Sequence, residues 1–166
     1  AEALQYLEDY DGGARVLAGG QSLAPMLNVR LWRPAALIDI NALSELAVLA
    51  HAGEETRVGA LVRYATLDHA PVVAERLPLL AKMVRFIGDR QVRNRGTIGG
   101  SLAHNDPAAE LPAVMVVLGA CMILQSATAH LTVPAEEFFV SPLETLLAPD
   151  ELLIAIEAPA QDPSAG

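Results

Sequence analysis

The chain holds a single cysteine, Cys121, among its 166 residues. A lone thiol excludes an internal disulfide framework and any Cys-rich zinc or iron–sulfur site built by this chain alone. It suits a reducing compartment, so the cytoplasm is the expected location. Basic residues are also scarce: 11 Lys and Arg stand against 20 Asp and Glu, for a net charge of -9. A surface of that sign repels a polyphosphate backbone, which argues against nucleic-acid binding. No uninterrupted apolar run reaches the ~18 residues of a membrane span. The longest, residues 113–124, contains Gly119 and Cys121. Absent too are the GxxxxGK[ST] phosphate loop, the GxGxxG dinucleotide fingerprint and the G-x-S-x-G elbow of serine hydrolases.

What is present is apolar. Hydrophobic residues make up 52% and charged residues 19%, enough for the buried core of about one domain rather than a disordered chain. Residues 1–10 place Ala3, Leu4 and Leu7 on one helical face and read as helix rather than as a signal sequence. Strands are predicted at 15–18 and 36–40, with a short helix at 23–27 between them and a helical turn at 44–46. A hairpin follows over 46–52 and 56–60. Thr66 is expected to cap a helix over 67–75, and a second helix covers 78–87. Residues 91–100 are polar, basic and glycine-bearing and read as loop. Residues 107–118 read as helix with Asp106 as N-cap. A second hairpin (121–126 and 130–133), a helical turn at 134–139 and a strand at 152–158 complete the pattern. The order is mixed, an αβαβ segment followed by antiparallel hairpins with interposed helices. It predicts an α+β fold of two small lobes sharing a crevice. The lobes are expected at about 1–50 and 51–160, with the small, Pro-bearing tail 161–166 as a linker to a further domain.

Two glycine segments carry the chemistry. The first runs Ala18-Gly19-Gly20-Gln21-Ser22-Leu23, strand into helix. Glycines admit positive φ and let a ligand approach the main chain closely. A helix starting at Ser22 would add its unpaired N–H groups and the positive end of its dipole, an anion cradle. The alternative is a plain strand–helix turn with Ser22 as N-cap. The second segment is Arg93-Asn94-Arg95-Gly96-Thr97-Ile98-Gly99-Gly100-Ser101. Five of the 11 basic residues lie between Lys82 and Arg95. They either set a positive field beside a second amide loop or solvate the surface and pair with carboxylates. A third segment, His104-Asn105-Asp106-Pro107, is followed by Glu110, a carboxylate able to accept from sugar hydroxyls. Ser101, His104 and Asp106 lie too close in sequence to converge as a hydrolase triad. His51, His69 and His130 are scattered, so no metal site is expected.

The two glycine segments together are far more specific than either alone. AGGQSLAPMLNVRLWRPAALIDIN, followed by QVRNRGTIGGSLAHNDPAAELP, resembles the flavin-binding medium subunit of molybdenum hydroxylases, in the carbon monoxide dehydrogenase and xanthine dehydrogenase group. The resemblance runs from Ala3 to Pro159. It implies the two-lobed FAD-binding fold shared with vanillyl-alcohol oxidases (the PCMH type), with FAD as cofactor. It places the FAD pyrophosphate and its neighbouring sugars on Leu17, Ala18, Gly19, Gly20, Gln21 and Ser22, and on Thr97, Ile98, Gly99, Gly100 and Ser101. Glu110 matches the carboxylate at the adenosine ribose, Ile87 the apolar residue at the adenine, and Leu153 the apolar residue at the isoalloxazine. It implies an electron-transfer role. Substrate is oxidised on a large molybdopterin-binding subunit, electrons cross a small [2Fe–2S] subunit, and FAD hands them to NAD, oxygen or a quinone-type acceptor. No general acid or base is assigned, because the cofactor carries the chemistry.

Gln21 stands where many relatives have His, and Ser101 where others have Asn or Asp. Both replacements keep hydrogen-bonding capacity, so FAD binding is expected to survive. The family's first strand and its C-terminal domain, which helps cover the flavin, have no counterpart in these 166 residues. Three alternatives remain: a stand-alone flavin oxidase of the wider superfamily, a module without flavin, and a generic phosphate-ligand binder.

Overall fold

The computed structural model describes residues 1–161. Leu4 and Leu7 stand one turn apart, and both are buried on the inner face of α1 (Glu2–Asp9), while Tyr6 and Tyr10 remain exposed. An isolated helix this short is marginal in water. Burial of each leucine, worth about 1.5–3 kcal/mol, is what holds it. The face packs on a two-stranded parallel sheet, β1 (Ala14–Leu17) and β2 (Ala36–Asp39), joined through the short helix α2 (Leu23–Asn28). A 3₁₀ turn at Ser44–Ala47 leads into the hairpin of β3 (Leu49–Ala52) and β4 (Glu55–Gly59).

Six short helices follow: α3 (Tyr64–His69), α4 (Pro71–Arg76), α5 (Pro78–Val84), α6 (Arg90–Arg95), α7 (Ile98–His104) and α8 (Leu111–Val117). Then come β5 (Cys121–Gln125), β6 (His130–Pro134), α9 (Ala135–Phe138), a small hairpin of β7 (Phe139–Ser141) and β8 (Glu144–Thr145), and β9 (Leu152–Pro159). The larger sheet is antiparallel throughout, in the order β3-β4-β9-β5-β6. Its central strand, β9, comes last in sequence.

The architecture is α+β and two-lobed, with two hydrophobic clusters. The larger joins the helices to the larger sheet through Leu67, Leu80, Ile98, Leu102, Met122, Phe138 and Ile156. The smaller gathers Leu4, Leu7, Ala14, Ile38 and Ile40 with Leu61 and Leu152. Successive side chains of a strand point to opposite faces. At the start of β9, Leu152 therefore enters the smaller cluster and Leu153 the larger. Among the described residues no helix is long and apolar enough to cross a membrane.

Several sequence expectations are corrected. The helix expected at 67–75 is broken, because a residue before proline avoids the α region. Ala70, at ψ 118, separates α3 from α4, and Thr66 lies inside α3 rather than capping it. Residues 91–100 are not loop. The Asp89 carboxylate accepts from Val92 N–H at 2.8 Å and starts α6, and the Thr97 hydroxyl accepts from Gly100 N–H at 3.2 Å and starts α7. These caps, with burial of Ile98 and Leu102, override the low helix propensity of Gly99 and Gly100. Asp106 does not cap α8. Its carboxylate accepts from Ala108 N–H at 2.8 Å in a separate turn, and α8 begins only after Glu110. The β7–β8 hairpin has no counterpart in the sequence pattern. Of the tail expected as linker, Gln161 is bound to the helices: Leu79 N–H donates to its side-chain oxygen at 2.9 Å and its own N–H to Arg76 O at 2.8 Å. Residues 162–166 lie outside the described residues.

Candidate functional site

The two glycine segments meet back to back. A Cβ built on Gly19 would lie 2.5 Å from the Arg95 carbonyl oxygen and 2.9 Å from Gly96 Cα. Beside this contact opens a cleft of about 880 Å³, at the upper end of the range for small-molecule sites. Ala18, Gly19, Gly20, Gln21 and Ser22 line it from one side, and Thr97, Gly99, Gly100 and Ser101 from the other. Ile87, Glu110 and Leu153 line it too. Two expected residues do not. Leu17 belongs to β1 and lies behind Gly20, and the fully buried Ile98 side chain is part of the larger core.

The segments differ in what they offer a ligand. In the second, four of the five amides are spent within the protein: Ile98 N–H donates to Val62 O, Gly99 to Ala60 O, Gly100 to the Thr97 hydroxyl and Ser101 to Thr97 O, while Thr97 N–H has no protein acceptor among the described residues. In the first, the N–H groups of Gly19, Gly20, Gln21, Ser22 and Leu23 have no protein acceptor among the described residues. The first segment is therefore the main donor wall, with five such amides against one in the second. The Ser22 side chain makes no cap hydrogen bond, and positive φ occurs at Gly20 (71°) but not at Gly19 or Gly99. Those two are glycine for close approach.

The basic cluster does not face the cleft. Arg93 Nη1 donates to the carbonyls of Ile87 and Gly88, Arg85 pairs with Asp68 at 2.9 Å, and none of the five cations lines the site. Among the described residues Arg15 is the one Lys or Arg that does, against the carboxylates of Asp106, Glu110, Glu144 and Glu151. It lies 4.7 Å from the Trp32 ring centroid and donates to the carbonyls of Gly12 and Ala14.

The likeness to known proteins decides the family. Residues 1–161 match the model of the FAD binding domain in molybdopterin dehydrogenase. The chain belongs to this family. Its cofactor is FAD. Among curated relatives, the medium chain of carbon monoxide dehydrogenase from Hydrogenophaga pseudoflava is 41% identical over 96% of this chain and 55% of its own length. The alpha subunit of the 6-hydroxypseudooxynicotine dehydrogenase complex from Paenarthrobacter nicotinovorans is 41% identical over 95% and 53%. The chain thus spans about half the length of the relatives it matches. The carbon monoxide dehydrogenase structure from Hydrogenophaga pseudoflava superposes with a TM-score of 0.96, covering 98% of this chain and 56% of that one at 41% identity. Quinoline 2-oxidoreductase from Pseudomonas putida 86 gives 0.93, covering 96% and 56% at 40% identity.

Sequence reasoning missed several residues of this FAD-binding domain. Tyr64 lines the cleft and packs its ring on Gly96. Burial raises its phenol pKa above 10.0; a hydrogen bond with Ser101 opposes the rise and the nearby Glu110 charge adds to it. The folded state thus keeps the phenol protonated after the unfolded chain has lost its proton. This stabilisation is complete below pH 10.0 and is lost as pH rises above it, at up to about 1.4 kcal/mol per pH unit. Tyr64→Phe is expected to flatten that alkaline slope in denaturant titrations run from pH 9 to 11. Asn105, in the left-handed region at φ 48°, donates to the carbonyls of Ser141 and Glu144. It thereby staples the β7–β8 hairpin, whose Glu144 and Thr145 form part of the cleft wall. A φ > 0 asparagine after a helix leaves no pattern in sequence beyond the Asn itself.

Proposed function

We propose that this chain is the flavin module of a molybdenum-containing dehydrogenase, taking electrons from iron–sulfur clusters and passing them to an external acceptor. The observation that carries the reading is the run of five amides, Gly19 to Leu23, that have no protein acceptor among the described residues, on the wall of a cleft of about 880 Å³. N–H groups in such a run suit a diphosphate without need of a lysine. Of the other residues lining the cleft, Glu110 would hold the ribose hydroxyls as acceptor, and Ile87 and Leu153 would give apolar surface to the adenine and the flavin ring. The Thr97–Ser101 segment supports the cradle mainly through backbone packing, since four of its five amides donate within the protein. When bound, FAD supplies reversible electron acceptance; the chain's own residues bind it, orient it and exclude water from one face. The names of the relatives, a medium chain and a complex subunit, support a place in a multi-subunit dehydrogenase; the partners in this proposal are a large molybdopterin-binding chain and a small [2Fe–2S] chain.

The first experiment is a visible absorbance spectrum before and after incubation with FAD and desalting. A retained flavin spectrum is the expected result. A featureless spectrum in protein shown folded by circular dichroism would instead favour a module without flavin, and flavin that stays attached after acid precipitation would favour the oxidase alternative. Glu110→Ala is expected to weaken FAD about tenfold, the worth of one hydrogen bond to a charged group. Glu110→Gln should do less, since an amide still accepts once. Fluorescence titration of FAD reads both.

A further inference from the structure

Behind the cleft, and lining no part of it, two polar side chains join the glycine segments. The Asn41 side-chain amide donates to Ala18 O at 2.9 Å and Leu17 O at 3.3 Å, the last carbonyls before Gly19. It also donates to the Asp39 carboxylate at 2.7 Å. The Asn41 side-chain oxygen accepts from the Arg63 guanidinium, which reaches the Arg95 carbonyl with its other arm. That carbonyl is the one a Cβ on Gly19 would strike. Arg63 is tied to the second segment a second time, because its backbone pairs with Thr97 in an isolated antiparallel bridge.

We propose that Asn41 and Arg63 are positioning residues, a clasp that sets the spacing of the first glycine segment against the second and so aims the Gly19–Leu23 amides at one point. The inference rests on the FAD reading above. A turn that opens on two glycines has little stiffness of its own, so its amides keep one arrangement only where the turn is held from behind. Asn41 and Arg63 hold this one through three carbonyls, those of Leu17, Ala18 and Arg95. Arginine suits the role because its planar fork reaches two acceptors at once, which an ammonium does not.

Asn41→Ala and Arg63→Lys are compared with the wild-type protein by titration with FAD and with ADP, alongside the melting temperature of the apoprotein. ADP shares the diphosphate but lacks the flavin. Both variants are expected to lose about tenfold in affinity, as when one or two hydrogen bonds are misaligned. The factor is expected to be the same for both ligands, with the apoprotein melting within a few degrees of wild type. The clasp is overturned if affinities are unchanged, if FAD alone is weakened, or if Arg63→Lys binds as wild type does, which would leave only the charge at work. Should Asn41→Ala fail to fold, Arg63→Lys carries the same comparison. Wild-type protein that takes up neither ligand overturns the FAD reading itself, and the clasp with it.

Discussion

Gly19→Ala is expected to weaken FAD binding by at least tenfold while leaving most of the fold intact. The added Cβ would stand 2.5 Å from the Arg95 carbonyl oxygen and 2.9 Å from Gly96 Cα. Both obstacles are backbone, so no side chain can rotate away. The glycine segment must then shift away from its neighbour, carrying with it the amides of Gly19 to Leu23. A hydrogen bond to a charged group is worth about 1.5–3 kcal/mol, so misplacing even one of them costs about tenfold. Gly19→Val is expected to be worse. Titration with FAD, with circular dichroism to verify folding, reads the result; a folded Gly19→Val protein with wild-type affinity would sink the cradle assignment.

Gly99→Val is expected to act on stability instead. Here the new Cβ meets Ala60 Cβ at 2.5 Å and the Ala60 Cα and carbonyl oxygen at 2.8 Å. That carbonyl also accepts the Gly99 N–H at 2.9 Å. The contact joins the N-terminal turn of α7 to the end of β4, inside the larger core. Overpacking there costs about 1–3 kcal/mol, and a broken backbone hydrogen bond adds about 1 kcal/mol. For a chain of this size that lowers the melting temperature by roughly 5–15 °C. Chemical denaturation of the apoprotein checks it. Loss of FAD with no loss of stability would show that Gly99 faces the ligand directly. The two glycines look alike in the sequence, each at a Gly-Gly pair, yet one separates the two segments and the other seals a helix onto a sheet.

That difference marks where sequence reasoning stops. Glycine at 19 and 99 signals either a close approach or a positive φ, and the sequence does not separate the two. Of the pair of segments, only Gly20 adopts it. What approaches Gly19 is Arg95 and Gly96, far along the chain, and only the folded chain brings them together. The same holds for the arginines. Their density between Lys82 and Arg95 was visible as a possible positive field, whereas Arg93 and Arg85 are consumed by carbonyls and by Asp68. Local competition explains the helix errors: a proline at 71 split one predicted helix, and two caps, Asp89 and Thr97, turned a predicted loop into α6 and α7.

The sequence by itself determined the family resemblance, the α+β pattern, most strand positions and the two glycine segments, because those depend on short-range periodicity, on turn residues and on motif order. Only the tertiary structure decided which amides remain free. A hydrogen-bond donor is available to a ligand when no acceptor of the protein reaches it, and the acceptors in question, the carbonyls of Ala60 and Val62, lie in a distant turn. It also decided that Asn41 and Arg63, unremarked in the sequence, stand behind the cleft. Their significance comes wholly from the carbonyls they reach, and long-range geometry of that kind leaves no local trace in a chain of residues.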